Sequence, residues 1–392
     1  MITVEQAKQI ISENIIPLNP VVLPLQQAGE HILASPIYAK FDIPAFRQSS
    51  MDGYAFEYQN EINHFDLVGE MAAGTNQSFK ILRGQTSRIF TGAPLPDGAD
   101  TVVMQEKIVR SGNDIVVEDP KILRGSNVRE IGSEIKIGAL AMQEGDLLTP
   151  AAIGFIAGIG ISEVSVYPMP KVSIILTGNE LQEPGKELVF GQVYESNSYA
   201  LSSALKKEGI LEVELLWVND DLESLIKTLN IALNQSDVVL LTGGVSVGDY
   251  DFVLSAAEKC TIKQKFHKVK QKPGKPLFFG TQNNKLIFGL PGNPSSVLSC
   301  YYNYVLPALK SLSKKETSIL ELTAQLECDY QKPKGMTHFL KGIYKNGKAT
   351  PLDAQESYRL SSFAQSNCLI CLPEDQQNFI TGETVSLLLL PK

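Results

Sequence analysis

The chain has 392 residues, 43% hydrophobic and 20% charged, with a formal net charge of −8. That length exceeds one ordinary hydrophobic core and predicts two to four domains. The acidic balance argues against a general nucleic-acid binder, and no apolar run reaches the ~18–20 residues that a membrane helix needs.

The chain starts MITVEQAKQIISENI, without the continuous apolar region of a signal peptide. Thr3 and Gln6 are spaced as a capping box opening an amphipathic helix. Pro20 to Pro44 is proline-punctuated and extended in character. Residues 45–134 read as β-rich, with turns at Ala93–Gly98 and Gly112-Asn113. Two loops there, SSMDGYA (49–55) and RIFTGAP (88–94), put Asp52 and Thr91 at glycine turns. Read locally, both are ordinary loop residues. A small-residue helix, Ala151 to Gly158, follows Pro150.

From about residue 170 strands alternate with helices. Val172–Leu176 is a short apolar strand ending at Thr177-Gly178, and Ser196 is placed to cap a helix that stops at Gly209. Val213–Val218, Leu222–Leu233 and Asp237–Leu241 then read as strand, helix and strand. This spacing predicts a parallel sheet in an α/β domain, whose ligands bind at the carboxyl ends of the strands. From about 314 the chain is again β-like, with a hairpin signal at Asn346-Gly347 and an alternating tail from Glu383 to Leu390. Cys368 and Cys371 form a CxxC inside an alternating apolar segment with no second CxxC, so a buried strand is expected rather than a metal or redox site. Five cysteines that need no partner suit a reducing cytoplasm.

Three stretches carry chemistry. Gly244–Gly248, within LLTGGVSVGDYDF, matches the G-x-S-x-G of a hydrolase nucleophile. That reading needs a downstream histidine, but His267 follows too closely and His338 belongs to the β-rich tail. The same residues suit a glycine turn in which Gly243, Gly244 and Ser246 cradle an anion. Asp249 and Asp251 would face phosphate only through a bridging divalent cation, by default Mg²⁺; otherwise they simply favour a helix N-terminus.

The second stretch is lysine-rich. If Phe266–Lys272 is one strand, Lys268, Lys270 and Lys272 share a face. That face is either a solvated edge or an anion site. The turn Lys272-Pro-Gly-Lys275-Pro276 fixes two lysines at a loop apex, which suits a small oxyanion. In the third stretch, GLPGNPSS (289–296), Pro291 and Pro294 stiffen a turn before a helix starting at Ser295 or Ser296. It reads equally as an anion-binding N-terminus or a structural turn.

Taken together, SSMDGYA, RIFTGAPLPDGADTVVMQE, LTGNEL (176–181), TGGVSVGDYDF, KPGKP and GLPGNPSS occur in an order that resembles the MoeA family. These are the molybdopterin molybdenumtransferases, related to the catalytic domain of gephyrin. The resemblance spans about Pro44 to Pro373. It implies a multidomain α/β plus β fold: an elongated discontinuous domain (1–43 and 135–168), a β-rich insert (44–134), a MogA-like three-layer α/β domain with a parallel-rich sheet (169–313) and a C-terminal β-barrel (314–392). It implies a cytoplasmic homodimer with a shared site, Mg²⁺ as cofactor, adenylylated molybdopterin and molybdate as substrates, release of AMP, and the molybdopterin adenylyltransferase as a partner.

Carried over by motif, Asp52 and Thr91 come from the partner subunit, while Glu180, Asp220 and Asp251 form the acidic part of the site. Of these, Asp251 and Glu180 are the implied metal ligands. Lys268, Lys272 and Lys275 hold phosphate or molybdate, Pro291 and Pro294 shape the pocket, and Ser357 and Arg359 close over the anion. The chain departs from the family where Met336 and Lys341 stand at positions many relatives fill with arginine, and where Gly132-Ser133-Glu134 replaces Gly-Glu-Asp. The rival class is a gephyrin-like scaffold that binds a peptide without turnover.

Overall fold

The computed structural model describes residues 1–244, 252–316 and 321–391. It divides into a smaller unit, Leu23–Gly29 with Leu33–Val164, and a larger one, Met1–Val22 and Glu30–Ile32 with Ser165–Lys392.

The smaller unit is built on a six-stranded sheet. Strand Gly53–Phe56 lies inside it, antiparallel to Gln85–Ile89 on one side and Thr101–Met104 on the other. Its alternation splits the core: Ala55 packs with Met71, Ile89 and Val102, whereas Tyr54 and Phe56 pack with Phe65, Val103 and Ile115. Gly53 is dictated by crowding, since a Cβ there would stand 1.8 Å from the Val103 carbonyl oxygen. The expected small-residue helix is present as Pro150–Gly158, with Thr149 accepting from the Ala152 N–H at 3.2 Å.

The larger unit opens with α1 (Val4–Glu13). Thr3 and Gln6 form the predicted reciprocal capping box, and Val4, Ala7 and Ile11 present one buried stripe. The central sheet comprises β1 (Val172–Thr177), β2 (Val213–Val218), β3 (Val238–Thr242), β4 (Lys263–Lys268), β5 (Pro276–Gln282) and β6 (Lys285–Leu290), in the order β2-β1-β3-β6-β5-β4. The first four in that order run parallel, and β5 and β4 are antiparallel additions.

Period-two alternation assigns each strand residue to a layer. Ile174, Leu240 and Phe288 face α1, α2 (Asn197–Lys207), α5 (Pro294–Cys300) and α6 (Leu306–Leu312). Ile175, Val239, Leu241 and Ile287 face α3 (Leu222–Gln235) and α4 (Phe252–Lys259). The result is three layers, with both sheet faces covered as parallel strands require.

Two local expectations change. Ser196 makes no side-chain cap. The buried Glu195 takes that role, accepting from the Ser198 N–H at 2.7 Å and its hydroxyl at 2.5 Å. Phe266–Lys272 is also not one strand. β4 ends at Lys268, and Gln271–Lys272 pairs instead with β8 (Thr337–Lys345) of the C-terminal region. Lys268 and Lys272 therefore belong to different sheets, and the shared lysine face does not form.

The C-terminal region closes into a five-stranded barrel. β7 (Glu321–Leu326), β8, β9 (Lys348–Pro351), β10 (Cys368–Leu372) and β11 (Thr384–Leu389) pair in the cycle β8-β9-β7-β11-β10-β8. Closure removes the open edges that the alternating tail would otherwise expose. Cys368 and Cys371 lie on β10, where burial pushes their thiols up to about 12 and about 11. Thiols so hard to ionise are poor nucleophiles and metal ligands, in keeping with the strand reading.

Candidate functional site

The sheet topology gathers the motif loops at one edge. β1, β2, β3 and β6 are parallel, so their carboxyl ends share a side. β5 runs the other way, so its start at Pro276 lies beside the end of β6, and Lys268 is registered opposite Pro276. Glu180, Asp220, Gly243, Gly244, Pro291, Lys275 and Lys268 all leave the sheet on this edge.

On the acidic side, β1 ends at Thr177 and the chain turns through Gly178 at φ +141°. The Glu180 carboxylate folds back so closely that a Cβ on Gly178 would lie 2.8 Å from its Oε2. Asp220, just after β2, is held by reciprocal bonds: the Asn179 N–H donates to its carboxylate at 3.4 Å and its own N–H donates to Asn179 Oδ1 at 3.3 Å. The two predicted acids therefore flank one turn. Gly243 and Gly244 follow β3 with φ of +86° and +64°. A Cβ on Gly243 would stand 2.7 Å from the Thr177 carbonyl oxygen, so the turn nests against β1 only as glycine. Ser246 and Asp251, with the rest of 245–251, lie outside the described residues.

The basic side is braced from below. Gln271, 1% exposed, accepts from the Tyr304 hydroxyl and donates to the Gly274 carbonyl at 2.9 Å. Tyr304 belongs to a π-helical turn, Tyr301–Val305, between α5 and α6. The lysine turn, with a cis Lys272–Pro273 bond, is thus anchored by buried neutral groups. Lys270 pairs with Glu374 at 3.7 Å. Among the described residues, no ion pair engages Lys268, Lys272 or Lys275.

Lys272 is registered beside His338 of β8, and both line a cavity of about 270 Å³ with Tyr330 and Glu356. Burial, then Lys332 and Lys272, pushes His338 down to about 4, so its imidazole is neutral near pH 7.

Pro291 and Pro294 flank the last turn. Pro294 is the first residue of α5, one position earlier than expected, where its missing N–H costs nothing. The remaining donors are spent inside the protein: Ser295 N–H on the Ser357 carbonyl at 3.1 Å, and Ser296 N–H on the Asn293 carbonyl at 3.0 Å. Asn293 Nδ2 donates to Ser357 Oγ at 2.8 Å. Ser357 is therefore docked on the predicted proline turn, and Arg359 beside it pairs with Glu356 at 3.3 Å.

In the smaller unit, Asp52 and Thr91 meet directly. The Thr91 N–H and hydroxyl each donate to Asp52 Oδ1 at 2.8 Å. The N–H bond is the main cause holding the Asp52 carboxyl below its ordinary range, followed by the hydroxyl, with Arg88 adding a smaller pull. Arg88 fixes the same turn by donating to the Gly53 carbonyl at 2.8 Å.

Asn179, Asn293 and Gln271 were not singled out from sequence. Two of them stand inside quoted motifs, LTGNEL and LPGNP, where an amide beside a glycine turn was the available signal.

A parallel sheet that delivers acids, glycine turns and lysines to one edge, followed by a closed barrel, defines a multidomain α/β plus β protein. Residues 2–160 match the family model "MoeA N-terminal region (domain I and II)", 173–311 "Probable molybdopterin binding domain" and 323–390 "MoeA C-terminal region (domain IV)". A Haemophilus influenzae protein named molybdopterin molybdenumtransferase is 32% identical, covering 99% of this chain and 98% of its own. A Nostoc protein of the same name is 33% identical over 94% and 88%. The crystal structure of a molybdopterin biosynthesis MoeA protein from Pyrococcus horikosii superposes with a TM-score of 0.81 at 29% identity, covering 99% of both chains. The chain belongs to the MoeA family.

Proposed function

We propose that this chain is a molybdopterin molybdenumtransferase of molybdenum-cofactor biosynthesis, taking adenylylated molybdopterin and molybdate and releasing AMP. The observation that carries the reading is the sheet edge, where lysines that no ion pair engages among the described residues stand across a glycine turn from Glu180 and Asp220. Molybdate is a tetrahedral dianion, and Lys268, Lys272 and Lys275 supply point charges without a fixed planar geometry. Ser357 adds a hydroxyl beside Asn293. The two pterin thiols replace one oxo group of molybdate, whose oxygen leaves as water with both thiol protons, and a water adds to the phosphoanhydride as its P–O bond breaks to release AMP. No protein nucleophile is required, which agrees with the lack of a serine–histidine pair in the motif set.

Mg²⁺ would bind on the acidic side. Among the described residues no group of three or more acidic, histidine or cysteine ligands forms a closed cage. Mg²⁺ commonly binds through one or two carboxylates plus substrate phosphates, and Glu180 with Asp251 would hold it. Bound there, it would neutralise charge on the adenylyl phosphate. Gly243, Gly244 and Ser246 would contact the phosphates, and Asp220 would orient the nucleotide end.

The functional unit is a homodimer in which Asp52 and Thr91 serve the partner's site. Exposed Val189, Phe190, Val193 and Tyr194 near Glu180 supply apolar surface for such an interface. The enzyme works in the cytoplasm and receives its substrate from the molybdopterin adenylyltransferase. No helix among the described residues is long and apolar enough to cross a membrane. The chain comprises four domains, 1–43 with 135–168, 44–134, 169–313 and 314–392.

Adenylylated molybdopterin supplied with Mg²⁺ gives AMP only when molybdate is present. AMP release that ignores molybdate would reject the reading. Asp251→Asn folds normally and loses most of this activity; wild-type turnover would remove Asp251 from the metal site.

A further inference from the structure

Lys341 stands in β8, where only 2% of it is exposed. Its ammonium donates to three main-chain carbonyls: Ala354 at 2.7 Å, Arg359 at 3.1 Å and Glu356 at 3.3 Å. An ammonium has three N–H donors, so all are committed to the protein. The three carbonyls bracket Ser357, whose own carbonyl and hydroxyl meet Ser295 and Asn293 at the proline turn.

The segment between β9 and the short helix Ser361–Gln365 has no ladder of its own. Besides the proline-turn contacts, it is fixed by Gln355, which exchanges bonds with the Lys341 main chain at 3.0 and 2.8 Å, and by Ser362 Oγ on the Ala354 carbonyl at 2.8 Å. A buried cation is expensive unless its donors are met. Here they are met by three carbonyls, two of which, Ala354 and Arg359, also accept from the Ser362 hydroxyl, whereas only Lys341 gathers all three.

We infer that Lys341 is a positioning residue: it ties 354–359 to the barrel so that Ser357 is presented at the Asn293 turn, and it does not touch the oxyanion. The inference rests on the reading of the sheet edge as the molybdate site. It assigns this lysine a role different from a charged substrate contact, and it predicts that arginine cannot replace it. A guanidinium is a planar fork and cannot aim three N–H groups at carbonyls converging on one nitrogen.

The test is a double-mutant cycle in the full-length chain using Lys341→Met and Ser357→Ala, read as KM for molybdate and kcat of AMP release. Amide hydrogen exchange of 352–360 is measured on the same proteins without substrate. Lys341→Met is expected to raise KM about as much as Ser357→Ala, on the order of tenfold for one lost hydrogen bond, and to speed exchange in the segment. The double variant is expected to be no worse than either single one. Lys341→Arg is expected to behave like Lys341→Met. Additive effects, wild-type KM in Lys341→Arg, or unchanged exchange in Lys341→Met would each overturn the inference. Should Lys341→Met fail to fold, Gln355→Ala loosens the same segment from the same strand and is expected to raise the same KM; an unchanged KM there counts against the tether. Wild-type protein without molybdate-dependent AMP release would sink the functional reading alone, because exchange still decides whether the tether exists.

Discussion

The lysine turn at 272–276 and the aspartate turn at 52–53 hold their charges in opposite ways. Gln271 and Tyr304 brace the first through neutral groups, and no ion pair among the described residues engages Lys272 or Lys275. The second is satisfied within itself, because Thr91 donates twice to Asp52 and Arg88 stands close by. An unpaired cation on a stiff support is organised for a ligand from outside. A carboxylate already bonded to its neighbour is organised to hold a loop in shape.

That contrast is broken most directly by removing the lysines. A hydrogen bond to a charged group contributes about 1.5–3 kcal/mol, so Lys272→Met or Lys275→Met should reduce molybdate-dependent turnover by roughly 10- to 150-fold. Thermal melting should stay at the wild-type midpoint, since neither side chain has an ion pair to lose among the described residues. A melting point that falls together with activity would make the lysines structural.

Acidification probes the same wall. His338 is held neutral by burial, then by Lys332 and Lys272, with Tyr330 and Glu356 also lining its cavity. Its folded pKa lies below its unfolded value, so the fold prefers the neutral form. Its stabilising contribution is complete above about pH 6.5 and is lost as pH falls towards about 4. Urea midpoints should decline over that window in the wild type and decline less in His338→Gln. Equal declines would place the acid sensitivity elsewhere.

The smallest structural effect is expected at Asp52. Asp52→Asn keeps an acceptor for both Thr91 donors but loses the charge they favour, so melting near pH 7 should fall only slightly. Because the carboxyl sits below its ordinary range, the wild type alone should lose stability as pH falls through its folded pKa. AMP release should nonetheless drop in the variant if this turn serves the partner's site. A variant with full activity would confine Asp52 to shaping its own loop.

Much of the α/β unit was legible because its signals are local and repeat. Val172–Leu176 and Asp237–Leu241 are purely apolar runs ending in glycine turns, and a parallel sheet buried on both faces needs such runs. The strand predicted across Phe266–Lys272 failed because a lysine pattern cannot tell that Gln271 is captured by Tyr304 from a distant helix. Ser196 failed similarly: the cap comes from Glu195, a buried carboxylate one position earlier. The candidate site residues stood out as motif members, yet the groups that support them did not. Lys341 reads as a weak substitute for arginine until its three carbonyls are seen.

The most direct test of the functional claim is AMP release from adenylylated molybdopterin by the wild type and Lys272→Met, each with and without molybdate at fixed Mg²⁺. The expected result is release from the wild type that requires molybdate and falls at least tenfold in the variant at unchanged melting temperature. Equal release with and without molybdate, or a fully active Lys272→Met, would contradict the assignment of this edge as an oxyanion site.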